Sequence, residues 1–282
     1  MASTPVLRAP TILLGLFLLG MAGRVPADPP ANANAKARDE GAERMQFMKD
    51  SAKRYKFAIG GSHPSELTLR PEPAFRLGKQ GDGVVLDGAI FLWEDEVGRP
   101  GAAAQVFLLT DAGRPDGQWR HEFTSVSTGT FTASEGGKPR WMPMVRGVTF
   151  QPIPGAPKPA DTPQQRLRQM HALAAEFHVE DDFWGRGWNA LRLLPKPISR
   201  YGKAGGTPED GAHFTFVLGT DPEAFLFIEA RPGAKGLEWQ YAFAPMTCWA
   251  LKAEHKGRPV WSLTQRNSDI PFRTFYSRVY QP

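Results

Sequence analysis

The spacing of apolar residues along the chain changes twice from a helical to a strand-like period. Apolar residues at i, i+3, i+7 and i+10 form one face of an α-helix. Two such sets occur, namely Met45, Met48, Ala52, Tyr55 and Leu167, Met170, Ala174, Phe177. Before the second set, Thr162 with Pro163 and Gln165 forms the pattern of a capping box with proline at N1. The pattern predicts a helix at each of these places.

After each helix, apolar and polar residues alternate with period 2, which is typical of strands. The turns between the alternating stretches are too short to hold crossover helices, so sequential strands are predicted to pair antiparallel. The strands are expected near 67–69, 89–93, 106–109, 119–133 and 141, and again near 191–193, 212–217, 225–229, 239–253 and 261. The predicted fold class is α+β, with one helix followed by an antiparallel meander of about five strands in each half.

The same sequence pattern occurs in both halves. The segment 67–78 (LTLRPEPAFRLG) aligns with 191–202 (LRLLPKPISRYG) at an offset of 124, with six identical residues. Shorter matches follow at offsets of 123 and 120, as loop-length differences between two copies of one unit would produce. The residues shared at matching positions are Arg76/Arg200, Asp87/Asp210, Trp119/Trp239 and Trp141/Trp261. The sequence therefore predicts two tandem repeats.

The first 27 residues have the pattern of a secretory signal peptide. Arg8 precedes an apolar run at 11–23, and Val25-Pro26-Ala27 supplies small residues for cleavage after Ala27. The run is too short for a membrane span, which needs about 20 apolar residues. We expect an exported protein, periplasmic or extracellular, without a membrane span after cleavage.

The remaining chain divides by composition. Residues 28–41 lack large apolar side chains and are expected to form a flexible N-terminus. The two α+β repeats are expected at 42–150 and 162–265, joined by a linker at 151–161 with four prolines. The tail 266–282 carries five large apolar residues after position 270 and is predicted to pack on the body, as an added strand on the first repeat.

Charge and cysteine content exclude some functions. Without Arg8 and Arg24 of the signal segment, 32 basic residues face 29 acidic ones, and they are scattered, so nucleic acid is not an expected partner. Cys248 is the sole cysteine and cannot form an internal disulfide. Its apolar neighbours predict a buried, inert thiol rather than a nucleophile.

The second half carries a resemblance. The stretches LRLLPKPISRYG, DGAHFTFVLGTDPEAFLFIEARP and EWQYAFAPMTCWALKAEHKGRPVWSL resemble a group of signal-bearing bacterial exported proteins of unknown function. This resemblance implies export and transfers no catalytic residue. The order of helix and meander is also similar to cystatin-like and NTF2-like folds, which host both enzymes and binding proteins.

No catalytic or cofactor motif is present, since the sequence lacks a nucleophile elbow, a zinc-protease helix, a Walker loop and a dinucleotide fingerprint. No cofactor is therefore predicted. His178, Glu180 and Asp182 could bind a divalent metal, but a solvated helix end followed by an acidic loop is the preferred interpretation, and no metal is predicted. His121 and Glu122 are candidate acid and base groups, but neighbours in a strand point to opposite faces.

The residues shared by the two halves allow two interpretations. A scaffold role has Asp-Gly shaping a turn, arginine bridging strands and tryptophan filling the core. The alternative is an exposed aromatic binding surface, in which case Trp119, Trp239, Trp141, Trp261, Arg76 and Arg200 are the binding residues.

Two functions follow. The first is an exported non-catalytic binding or interaction protein for an unknown small molecule, glycan or protein. The alternative is an exported hydrolase using His121, Glu122 or His213 in a pocket.

Overall fold

The structure, a computed structural model, describes residues 31–60, 65–78, 85–111, 114–234, 236–266 and 269–280. The predicted signal peptide lies outside these residues. The described residues from Asp39 onward belong to one compact unit. Within the described ranges, no helix is long and apolar enough to cross a membrane.

The first half contains helix α1 (Ala31–Lys53) and eight strands before residue 142. These strands are β1 (Tyr55–Ile59), β2 (Ser65–Leu69), β3 (Phe75–Leu77), β4 (Val85–Glu94), β5 (Pro100–Asp111), β6 (Arg114–Ser125), β7 (Phe131–Glu135) and β8 (Lys138–Trp141). Helix α1 begins within the segment 28–41 that the sequence predicts to be flexible.

The second half opens with the short strand β9 (Gln151–Pro152) in the proline-rich linker, followed by helix α2 (Pro163–Ala174). The other strands are β10 (Phe177–Asp182), β11 (Asn189–Ala190), β12 (Arg192–Leu193), β13 (Ser199–Tyr201), β14 (Asp210–Leu218), β15 (Asp221–Gly233), β16 (Gly236–Pro245), β17 (Ala250–His255), β18 (Arg258–Leu263) and β19 (Phe275–Val279). The predicted cap of α2 is confirmed, because the Thr162 side chain accepts from the Gln165 backbone N–H.

The predicted fold class is wrong. The chain is mostly β and contains a nearly closed, barrel-like antiparallel sheet, instead of two units of one helix and a meander. Tyr55 and Phe177, the last residues of the predicted helical stripes, begin β1 and β10. β1 pairs with β7, and β10 pairs with β17. These long-range pairs curl the sheets back on themselves, which a meander of neighbouring strands does not do. The analogy to cystatin-like and NTF2-like folds was based on the predicted order of helix and meander, so it does not hold.

The C-terminal tail connects the two edges of the first sheet, whose order is β19-β6-β5-β4-β2-β1-β7-β8. β19 pairs antiparallel with β6. Just before β19, the carbonyl of Pro271 accepts from Met142 N–H at 2.7 Å, beyond the end of β8. Phe275 of β19 is 1% exposed. The tail thus covers apolar surface and two strand edges.

Three hydrophobic cores follow from this arrangement. One lies within the first half and includes Trp93 and Trp141, and a second lies within the second half and includes Phe214 and Trp239. The third lies between the halves, where Ile90 and Ala103 pack with Phe227 and Ala244. Successive residues of β5 and β15 therefore point alternately toward the core of their own half and toward the core between the halves.

Each half ties its helix to its sheet with an aspartate held by two arginines. Asp87 accepts from Arg76 and Arg44, and Asp210 accepts from Arg200 and Arg166, all at 2.7–3.1 Å. The Asp-Gly pairs lie inside β4 and β14 rather than in turns, so the expected turn role is wrong. A Cβ on Gly88 would approach the Phe107 Cβ to 2.7 Å, which accounts for glycine there.

Candidate functional site

The tryptophans that the sequence analysis selected do not form one surface. Trp119 and Trp141 contribute to the first core, while Trp239 and Trp261 contribute to the second. Trp141 and Trp239 are each 1% exposed. Arg76 and Arg200 are engaged by Asp87 and Asp210. These positions support the scaffold interpretation physically, because a buried indole offers no face to a ligand.

The two candidate histidines are also inaccessible. His121 and His213 are fully buried. His121 Nδ1 lies 2.7 Å from the Tyr55 hydroxyl, and the His213 ring stacks on Phe227 with 4.3 Å between centroids. Burial lowers the pKa of each ring to about 3, helped by nearby arginine charge. Neither ring is placed to exchange a proton with a substrate.

The residues proposed for a metal are spread along the outer face of β10 with other partners. Glu180 pairs with Lys252 at 2.7 Å, and the Asp182 side chain accepts from Gly187 N–H. His178 lies on the same face of the strand and is exposed. Among the residues that the structure describes, no group of three His, Cys, Asp or Glu side chains could hold a metal ion.

Glu122 lies in a different setting, on the boundary between the two halves. Gln105 is its cross-strand neighbour on β5, and Ser277 of β19 donates to its carboxylate at 3.1 Å. Across the boundary, the Gln105 amide donates to Asp221 at 2.7 Å. Two residues along β15 from Asp221 lies the buried Glu223. We call Glu122, Asp221 and Glu223, with Gln105, the carboxylate cluster.

The buried setting of the cluster raises the pKa values of its carboxyl groups. Burial raises the pKa of Glu122 to about 8, with a further contribution from the charge of Asp221. Burial likewise raises the pKa of Asp221 to about 6 and that of Glu223 well above its usual range. Glu122 and Asp221 nevertheless keep part of their surface accessible. Perturbed carboxylates that solvent can reach are a recognised mark of functional sites.

Four buried carboxylates elsewhere in the structure are paired with arginine, unlike those of the cluster. Asp87, Asp210, Glu135 and Glu229 each have a guanidinium within 3.0 Å. Within the described ranges, Glu122, Asp221 and Glu223 have no ion-pair partner within 4.0 Å. The charge of Arg120 lowers the pKa of Glu122. Among the described residues, the Oε1 of Gln105 has no hydrogen-bond partner, although Gln105 is 1% exposed.

A group of aromatic residues at the surface, the aromatic patch, consists of the exposed Trp184 with the half-buried Phe183 and Trp249. The rings of Trp184 and Trp249 lie 4.7 Å apart, and Phe183 contacts both of them edge-on. Trp184 is 59% exposed and has a left-handed φ of 62°, which is costly for a bulky residue. Trp188, also exposed, follows four residues later beneath the Lys252 ammonium.

One loop connects the aromatic patch with the carboxylate cluster. The loop runs from Met246, whose N–H donates to the Glu223 carbonyl at 2.7 Å, to Trp249 of the patch. The Thr247 side chain hydrogen-bonds to Glu223 and lowers its pKa. Asp181, two residues before Phe183, is near enough for its charge to raise the pKa values of Asp221 and Glu223. The cluster and the patch therefore form a composite site.

A surface groove of about 450 Å³ lies elsewhere, against β1 and β2, with Lys53, Lys56 and Glu66 on its wall. These three charged side chains are exposed. The composite site has the strained tryptophan and the unpaired buried carboxylates, so we place the functional site there.

Sequence reasoning named only Glu122 of this site. Asp221 lies in the segment Gly219-Thr-Asp-Pro222, which has the composition of a turn. Glu223 comes directly after this segment, at the start of the strand that follows. One signal was available for the patch, since 183–188 (FWGRGW) places three large aromatic residues among glycines. Apolar residues in a glycine-rich loop have no core to enter.

None of the protein-family models matches the chain, and no curated protein or solved structure is significantly similar to it.

Cys248 lies on the connecting loop and is half-buried, more accessible than the sequence predicts. Burial raises the pKa of its thiol to about 11, with contributions from Glu122 and Glu223. Because only the thiolate reacts, we expect labelling by iodoacetamide at pH 7 to be about 100-fold slower than for an unperturbed thiol. The same protein unfolded in urea is the control. Labelling of the native protein at the unfolded rate would contradict this prediction.

Proposed function

We propose that the protein is an exported, non-catalytic binding protein and that it binds a glycan at the aromatic patch. The observation that carries this proposal is the exposed, left-handed Trp184, whose ring lies tilted against that of Trp249 with 4.7 Å between their centroids. Exposed apolar patches on a folded domain mark binding surfaces. The faces of sugar rings present C–H groups, and these pack on the electron-rich faces of aromatic rings. Export matches a ligand found outside the cytoplasm.

The test is a binding titration with β-1,4-linked tetrasaccharides, followed by intrinsic tryptophan fluorescence. We expect Trp184→Ala to weaken binding by about tenfold, as loss of an aromatic anchor does in other interfaces. Phe272→Ala, which removes an equally exposed aromatic residue from the tail, should leave binding unchanged. Absence of binding by the native protein, or equal loss in both variants, would contradict the proposal.

The hydrolase alternative retains one candidate group, Glu122, since His121 and His213 are enclosed. Its raised pKa is the property of a general acid. Cleavage products after incubation with the same tetrasaccharides would favour this alternative over simple binding.

A further inference from the structure

Every buried polar atom needs a partner, and one acceptor of the carboxylate cluster has none among the described residues. This atom is the Oε1 of Gln105, whose amide is held in the cluster by the bond from Nε2 to Asp221. The ionised forms of Asp221, Glu122 and Glu223 would add further acceptor oxygens. Ser277 donates to Glu122, and the Thr247 side chain hydrogen-bonds to Glu223. An occupant rich in hydrogen-bond donors would satisfy this set.

The chemistry of the occupant follows from the charge. Gln105 is the cross-strand neighbour of Glu122 and donates to Asp221, and these acidic side chains have no ion pair in the described part of the chain. A positively charged occupant would therefore stabilise their ionised form. A directly coordinated metal ion does not fit, because the described side chains provide no group of three ligands at coordination distance. A primary ammonium has three donors and a single charge, which suits a cluster of separated acceptors.

We propose that the carboxylate cluster binds the primary ammonium group of an amino sugar whose ring lies on the aromatic patch. This inference rests on the proposed glycan binding and specifies the class of glycan, a saccharide with free amines. The connecting loop from Glu223 through Thr247 to Trp249 places the two parts of the ligand on adjacent protein surfaces. Arg120 donates from Nη1 to the Ser277 hydroxyl at 3.5 Å rather than to a carboxylate of the cluster.

The test compares a glucosamine tetrasaccharide with its fully N-acetylated counterpart by isothermal titration calorimetry at pH 7. The two ligands share a sugar backbone and differ in the amine. We expect the free-amine ligand to bind about tenfold more tightly, as expected for a charge-assisted contact at a partly buried site. Asp221→Asn should remove this preference without weakening the acetylated ligand. Glu66→Gln, which removes a charge from the exposed surface, should keep the preference.

A second readout separates ligand binding from a structural role of the cluster. An ammonium favours ionised carboxylates, so binding of the free amine should release protons from the cluster. The calorimetric enthalpy should then differ between phosphate and Tris buffers for the free-amine ligand only. In Glu122→Gln, whose variant side chain cannot titrate, proton release should fall.

The outcomes distinguish the two proposals. Equal affinity for both tetrasaccharides, with dependence on Trp184, would overturn the ammonium site and leave glycan binding intact. Binding of neither would overturn both. A preference for the amine that persists in Asp221→Asn and in Glu223→Gln would overturn the assignment to this cluster.

Discussion

Replacing Glu229 by glutamine should lower the free energy of unfolding by about 3–5 kcal/mol, because it leaves the buried Arg99 guanidinium without its counter-charge. Arg99 of the first half donates to Glu229 of the second at 2.8 Å, and the two side chains are 9% and 0% exposed. Tyr201 donates to the same carboxylate. Arg99 also donates to the carbonyls of Pro100 and Val126, so the guanidinium is held in place.

Urea denaturation at pH 7 measures this effect, and a fall in melting temperature of roughly 10 °C should accompany it. The double variant Arg99→Met/Glu229→Leu should be more stable than Glu229→Gln alone, since the buried Arg99 charge is removed together with its partner. As a matched control, Glu72→Gln breaks the exposed pair with Lys49. That change should cost less than about 1 kcal/mol. Equal effects of Glu72→Gln and Glu229→Gln would contradict the assigned role of the buried pair.

Some features of the fold can be predicted from the sequence and others cannot. Period-2 alternation located most strands, because the pleat alone dictates it. The starts of β1 and β10 were missed because Tyr55 and Phe177 continue the helical stripe while the backbone has already become extended. Which strands pair across long loops depends on tertiary packing, and no local pattern specifies that β1 joins β7.

The site was less predictable than the strands, because its residues come from distant positions. Gln105 and Asp221 are 116 residues apart in the chain. A signal did exist in β5, where Gln105 is a lone polar residue in the apolar run Ala-Ala-Ala-Gln-Val-Phe-Leu-Leu at 102–109. A polar side chain in such a run must find a buried partner. The sequence does not show that this partner is Asp221 of the other half.

His213 should make the protein sensitive to acid. Its ring is enclosed by Phe225 and Phe227, and neither ring nitrogen has a hydrogen-bond partner in the described part of the chain. Burial first, and the charge of Arg99 second, lower its pKa from 6.5 to about 3. The folded protein therefore holds the ring neutral, whereas the unfolded chain takes up a proton below about pH 6.5. Stability from this group is present above pH 6.5 and is lost as the pH falls toward 3.

His121 acts in the same direction, and each ring should contribute a slope approaching about 1.4 kcal/mol per pH unit. The carboxylate cluster acts oppositely, since the raised pKa of Glu122 means that stability is lost as the pH rises toward 8. The free energy of unfolding, measured by urea denaturation between pH 4 and 8, should therefore pass through a maximum.

The decisive comparison is between His213→Phe and His213→Gln. Neither phenylalanine nor glutamine titrates. In both variants, the slope of the free energy of unfolding against pH on the acid side should therefore fall by the equivalent of about one proton. They should differ in absolute stability, because phenylalanine suits the apolar surroundings while glutamine leaves a buried amide unsatisfied. An acid limb that keeps its native slope in both variants would show that the ring is already protonated in the folded state, contrary to its enclosure between Phe225 and Phe227.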